Sequence, residues 1–243
     1  MGSAVSPSSP SAGDPRTPGR GARRSKSSGP EPYDFRRPAK LAREHVRTLQ
    51  IAYETFARQF STLLTTSLRA VSHVSLISIG QQSYDEYISS LSATTVLAMC
   101  TIEPLPGITI LEFSLSTAMV CIDHVLGGSG GPQPQRPLTD IEAPLLRGII
   151  TRALGELRYA IEPIVAVTPT LVAIEYNPQF AQAGVASDMV IVAAFDMRVG
   201  TEECVATVCM PVNAIFLPLQ TDRVDIVLSE GERVARYNAS RKV

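Results

Sequence analysis

Gly127-Gly-Ser-Gly-Gly131 satisfies G-x-S-x-G, the spacing in which α/β-hydrolases hold a nucleophilic serine on a strained turn. That chemistry needs a strand before the serine and a helix after it. Here a helical pattern precedes the loop and Pro132-Gln-Pro-Gln-Arg-Pro137 follows it, so Ser129 is not read as a nucleophile. The residues leave two readings: a passive connector, or a loop whose bare backbone approaches a partner closely, which glycine permits.

The remaining chemical inventory is thin. His45, His73 and His124 have no ligand spacing to one another or to a cysteine, and each reads as a surface or packing residue. Cys100, Cys121, Cys204 and Cys209 lie inside apolar runs and form no CxxC pair, so neither a disulfide nor a structural zinc is expected. Asp85-Glu86 reads as an exposed helix start and Glu202-Glu203 as a solvated tip after Gly200. P-loop, GxGxxG and HExxH patterns are missing from the sequence, and no cofactor or metal is expected.

The elements that must carry these residues follow from periodicity. From Leu41 to Leu68, Val46, Leu49, Tyr53, Phe56, Phe60, Leu63 and Leu68 recur at helical spacing. Arg43, Arg47, Glu54 and Arg58 take the other face, with Glu54 and Arg58 spaced i,i+4 for an ion pair. Val74–Ile79, Thr95–Ile102 and Ile108–Phe113 read as strands, the last two joined by the turn-rich Glu103-Pro-Leu-Pro-Gly107. Leu115–Leu126 reads as a helix with Leu115, Met119, Ile122 and Leu126 on its inner face, and Gly127 stands where a left-handed cap is usual.

Thr139 and Glu142 then make a T-x-x-E capping box. The helix they open runs to about Ile161, with Leu146, Ile149, Ala153, Leu157 and Ala160 inward and Pro144 awkwardly late for a donor-free first turn. Val165–Tyr176, Met189–Val199 and Glu203–Pro211 read as strands, and Val212–Leu219 as a short last element. Helix, three strands and helix thus occur twice, near 41–126 and 138–219. The expected fold class is α/β: two pseudo-symmetric units sharing one sheet, with helices on both faces.

Composition sets the outer bounds. The 243 residues are 44% apolar, enough for a sizeable core, and the net charge of −1 gives no global attraction to nucleic acid. The absence of tryptophan and the few aromatics argue against base stacking. No run approaches the length of a membrane span, and thiol usage fits a reducing cytosol. Residues 1–32 are Ser-, Pro- and Gly-rich with a basic cluster at Arg20, Arg23, Arg24 and Lys26, and read as a disordered tail.

Five blocks carry a family resemblance: Tyr33-Asp-Phe-Arg-Arg-Pro38 with Arg47-Thr-Leu; Glu103-Pro-Leu-Pro-Gly107; Val125-Leu-Gly-Gly-Ser-Gly-Gly131; Leu138-Thr-Asp-Ile-Glu142; and Glu175-Tyr-Asn-Pro-Gln-Phe-Ala181. In order and spacing, from about Tyr33 to Gln220, they resemble the middle domain of the flagellar motor switch protein FliM. The resemblance implies a fold related to the phosphatase CheC and a non-catalytic place in a ring of copies beneath the flagellar rotor. That ring lies peripherally on the cytoplasmic face of the membrane, at the basal body. The glycine loop, here Gly127, Gly128, Ser129, Gly130 and Gly131, is implied to touch the rotor protein FliG. Phosphorylated CheY is implied to shift the ring between rotation senses.

Two departures bear on that picture, and a third comparison weighs its alternative. Residues 1–32 hold nothing like the family's acidic-apolar CheY-capturing peptide. The stretch 221–243 is polar and lacks the β pattern of the family's FliN-like C-terminal domain, so it reads as a linker in a truncated chain that cannot recruit FliN through such a domain. CheC-type phosphatases place Glu and, three residues on, Asn on the helix opening each half. The aligned positions here are Gly148 and Thr151, which supply neither group, and the first helix carries no Glu-x-x-Asn. The phosphatase is therefore the alternative reading rather than the expected one.

Overall fold

A computed structural model describes residues Leu41–Gln220. The tail at 1–32, the block Tyr33–Pro38 and the linker at 221–243 lie outside the described residues. In chain order the elements are α1 (Arg43–Leu68), β1 (Ser72–Ser83), α2 (Tyr84–Ser90), β2 (Thr95–Glu103), β3 (Leu105–Ser114), α3 (Leu115–Val125), α4 (Glu142–Ile161), β4 (Thr168–Glu175), β5 (Met189–Val199), β6 (Glu202–Pro211) and α5 (Val212–Gln220). A single turn of 3₁₀ helix, Pro178–Phe180, lies between β4 and β5.

The six strands form one sheet in the order β1-β5-β6-β3-β2-β4, every neighbouring pair antiparallel. Exchanging β1, β2 and β3 for β4, β5 and β6 gives the same order read backwards, so the expected duplication is present in the topology. The halves interlock: β1 pairs with β5 and β4 with β2 across the pseudo-two-fold, while β3 and β6 meet at the centre. Both edge strands carry one extra residue, Ile77 in β1 and Val172 in β4, each turned out and more than half exposed. Such bulges bend an edge and interrupt its ladder, which blunts edge-to-edge pairing.

Alternation of side chains along the strands makes two cores. Val96, Ala98, Leu111, Phe113, Ile191, Phe195 and Val208 face a large cluster built with α1, α3, α4 and the start of α5. Their neighbours Leu97, Ile110, Val190 and Cys209 face the other way, onto Tyr84, Tyr87 and Ile88 of α2. The Tyr84 hydroxyl ties that face down by donating to the Ala181 carbonyl. Helices therefore cover both faces, unequally.

Several sequence expectations need correction. Leu64, not Leu63, completes the buried stripe of α1, because the stripe drifts around a 26-residue helix. Glu54 and Arg58 do not pair: Glu54 Oε1 accepts from Gln50 Nε2 at 2.8 Å and Arg58 donates to Thr55 Oγ1 at 3.0 Å. Exposed ion pairs gain little, so nearby polar groups compete successfully. β1 extends to Ser83, whose hydroxyl and Glu86 form a capping box that opens α2. The hairpin β2–β3 is tighter than its proline content suggests, with only Pro104 outside both strands. β4 begins at Thr168, three residues later than Val165, and α1 at Arg43.

Candidate protein-binding site

The glycine loop is fixed where it leaves α3. Ser114 Oγ caps the helix start by accepting from the Thr117 N–H at 3.0 Å. At the other end Gly127 adopts φ +92°. Its N–H donates to the His124 carbonyl at 3.0 Å and the Gly128 N–H to the Asp123 carbonyl at 2.8 Å. That is a Schellman closure, and only glycine takes its left-handed position without steric penalty. Leu126, expected on the buried face, is 66% exposed because the chain turns out of the helix at this point.

Asp123 holds the loop, a role the sequence reading missed, and His124 packs beside Gly130. The Asp123 carboxylate Oδ2 accepts from the Gly130 N–H at 2.8 Å. A Cβ on Gly128 would collide with that carboxylate. Gly130 has φ +75°, and a Cβ there would lie 2.6 Å from His124 Nε2. Gly131 has open space and needs no positive φ, so the run of glycines is not uniform in its demands. Ser129 is exposed, on a loop that follows a helix, and a hydrolase-type elbow is ruled out by that geometry.

The far end of the segment is held by Arg136, which donates to both Glu142 oxygens at 2.7 and 2.8 Å. Glu142 Oε2 also accepts from the Thr139 N–H at 2.7 Å, and Thr139 Oγ1 accepts from the Glu142 N–H at 3.3 Å. The T-x-x-E pair thus forms its box just ahead of α4. Pro144 lies in the first turn of α4, exposed, where a missing N–H is tolerated.

The Arg136 guanidinium first, then the Thr139 N–H, lower the Glu142 pKa to about 2. A carboxyl whose folded pKa lies below the ordinary value of about 4.3 stabilises the fold above that value. The contribution is lost as pH falls toward about 2. Glu142→Gln should therefore flatten the acid limb of the melting temperature across that window, more visibly at low salt because the pair is partly exposed. Thr139→Ala should remove about 1 kcal/mol at neutral pH. Equal acid limbs in parent and Glu142→Gln would show that the pair is not formed in solution.

Among the described residues no other cluster of chemistry-bearing side chains competes with this loop. Among the described residues no group of His, Cys, Asp and Glu is placed to hold a metal. Burial pushes the thiols of Cys100, Cys121 and Cys209 up to about 12, which leaves them protonated and inert. Gly148 and Thr151 are exposed on α4. No helix among the described residues is long and apolar enough to cross a membrane.

Comparison with known proteins agrees with this architecture. The profile of the family described as "Flagellar motor switch protein FliM" matches residues 42–221. The FliM of Treponema pallidum is 41% identical over 180 residues, 74% of this chain and 52% of its own length. That of Thermotoga maritima is 32% identical, over 84% of this chain and 62% of its length. The chain thus spans about half to three-fifths of these relatives. Among solved structures, a FliM middle domain from H. pylori matches with TM-score 0.68 at 26% identity, covering 74% of this chain and 99% of that one. A chain of a FliG–FliM complex from H. pylori matches with TM-score 0.71 at 27% identity, covering 74% and 100%. The profile match over residues 42–221 and the 41% identity to the Treponema pallidum protein place the chain in the flagellar motor switch protein FliM family.

Proposed function

We propose that residues 33–220 act as a motor-switch middle domain. The domain binds the rotor protein FliG through Gly127–Gly131, stands in a ring of its own copies and responds to phosphorylated CheY to set the direction of rotation. Its place is peripheral, at the cytoplasmic face of the flagellar basal body. The observation that carries this reading is the loop itself: exposed backbone, closed by the Schellman turn and held at both ends by Asp123 and Arg136. A loop so held binds without a large ordering penalty. That an H. pylori relative was solved in a FliG–FliM complex supports the choice of partner.

The mechanism is binding coupled to a two-state rearrangement, without a chemical step. The test is titration of this chain with the middle domain of FliG. A saturable complex is expected. No binding at about 1 mM, where even an interaction of about −4 kcal/mol registers, overturns the reading. In a parallel measurement, phosphorylated CheY should lose its phosphoryl group at the spontaneous rate in the presence of this chain. Gly148 and Thr151 offer no carboxylate and amide to orient a water. A concentration-dependent acceleration would establish the phosphatase instead.

A further inference from the structure

Glu112 is the only acidic residue among the buried residues described, 6% exposed, near the end of β3. It pairs with Thr207 in the last of the rungs joining β3 to β6, the strands that meet at the centre of the sheet. Its side chain faces α2. Thr95 Oγ1 lies 2.7 Å from Glu112 Oε1, Thr207 Oγ1 lies 3.0 Å from Glu112 Oε2, and the Tyr87 hydroxyl lies 2.9 Å from Thr207 Oγ1. Four elements, α2, β2, β3 and β6, are thereby tied to one carboxyl group.

Counting hydrogens decides its state. Thr95 Oγ1 is also 2.8 Å from the Phe113 carbonyl, which can only accept. The hydroxyl has one hydrogen and can donate it to only one of these two oxygens at a time. A proton on Glu112 Oε1 resolves the conflict. Glu112 then donates to Thr95, and Thr95 donates to Phe113. On the other oxygen, Tyr87 donates to Thr207 and Thr207 donates to Glu112. Thr207, Glu112 and Thr95 then each donate one hydrogen bond and accept one, which keeps the buried polar network satisfied.

We propose that Glu112 is a proton-holding clip: a neutral carboxylic acid that donates to Thr95 of β2 while accepting from Thr207 of β6, and whose hold on β2 loosens when its proton leaves. The ionisable groups coupled to it are Tyr87 from α2 and Cys204 from β6; neither is a cation, and among the described residues no Lys, Arg or His acts on the carboxyl. Burial is the largest influence on the Glu112 carboxyl and pushes its pKa up. The clip lies two residues before Ser114, which caps α3, so it sits at the root of the helix that ends in the glycine loop.

A folded pKa above the unfolded one means the folded state holds more protons between the two. The stabilisation is complete below the ordinary glutamate value of about 4.3 and is lost as pH rises through the raised folded value. Glu112→Gln offers the same donor and acceptor permanently. The infrared spectrum at about pH 6, where an ordinary glutamate is almost wholly ionised, should show a protonated-carboxyl band in the parent chain and none in Glu112→Gln. Between about pH 5 and about pH 9, the parent's melting temperature should fall by several degrees relative to Glu112→Gln. Absence of the band, parallel melting curves, or a Glu112→Gln chain that fails to fold would each overturn the proposal.

Discussion

Gly130→Leu is expected to weaken binding to the middle domain of FliG by roughly thirtyfold or more, while the protein stays folded. The two effects separate because they arise from different atoms. Gly130 at φ +75° forces a leucine into a left-handed backbone, which costs about 1–2 kcal/mol, and its Cβ presses on a single imidazole that can swing aside. Against a domain stability of about 5–15 kcal/mol this is tolerable. The leucine side chain itself stands in the contact, where one change can remove about 2 kcal/mol or more.

Gly128→Leu should act by another route. Its Cβ displaces the Asp123 carboxylate and so releases the Gly130 N–H, leaving the loop unanchored at its near end. Asp123→Ala should reproduce that loss of affinity without adding bulk. Gly131→Ala is the folding control, since open space and an unconstrained backbone let it melt like the parent, so that any affinity it loses is steric at the contact itself. Isothermal titration alongside thermal melts reads all four. If Gly128→Leu, Gly130→Leu and Asp123→Ala all bind like the parent, the loop is a connector and the contact lies elsewhere.

The sequence reading located that loop because its neighbours speak a local language. A helical stripe ends at Leu126, a glycine follows at the capping position, and Thr139 and Glu142 announce the next helix; all three signals act within a few residues. The duplicated order of elements was legible for the same reason. What escaped depends on contacts between distant parts. Asp123 and His124 read as ordinary residues of a last helical turn, and only the path of the chain after Gly127 brings backbone N–H and glycine Cα atoms onto them. Ile77 and Val172 look like strand hydrophobes until the pairing of β1 with β5 and β4 with β2 leaves one residue too many. Glu112 is a single acid in the run Ile-Thr-Ile-Leu-Glu-Phe, and its partners at 87, 95 and 207 come from three other elements. The Glu54–Arg58 pair failed in the opposite direction: the spacing was right, but the energy at stake was too small to win.

Phe56→Ala should be the most destabilising single change in the fold, and it tests whether the two halves stand or fall together. Phe56 is 1% exposed on α1, stacked on Phe60 with ring centroids 5.4 Å apart and edge-on to Phe195 at 5.7 Å. Tyr53, one turn earlier, meets the same Phe195 at 5.9 Å. Phe195 belongs to β5 of the second half, so α1 of the first half is pinned across the pseudo-two-fold by this aromatic group. Removing a buried phenyl ring from a close-packed core costs about 3–5 kcal/mol, a large part of the roughly 5–15 kcal/mol available. Urea unfolding should show the midpoint falling with the slope unchanged, one transition for both halves. Phe56→Leu should lose less, and Ile51→Ala, at a side chain 60% exposed on the same helix, almost nothing. Affinity for FliG, corrected for the folded fraction, should be unchanged in Phe56→Ala, because the loop's anchors Asp123 and Arg136 are untouched. A loss below about 1 kcal/mol, or two separate transitions, would mean that the halves are joined by strand pairing alone and that the aromatic contact is incidental.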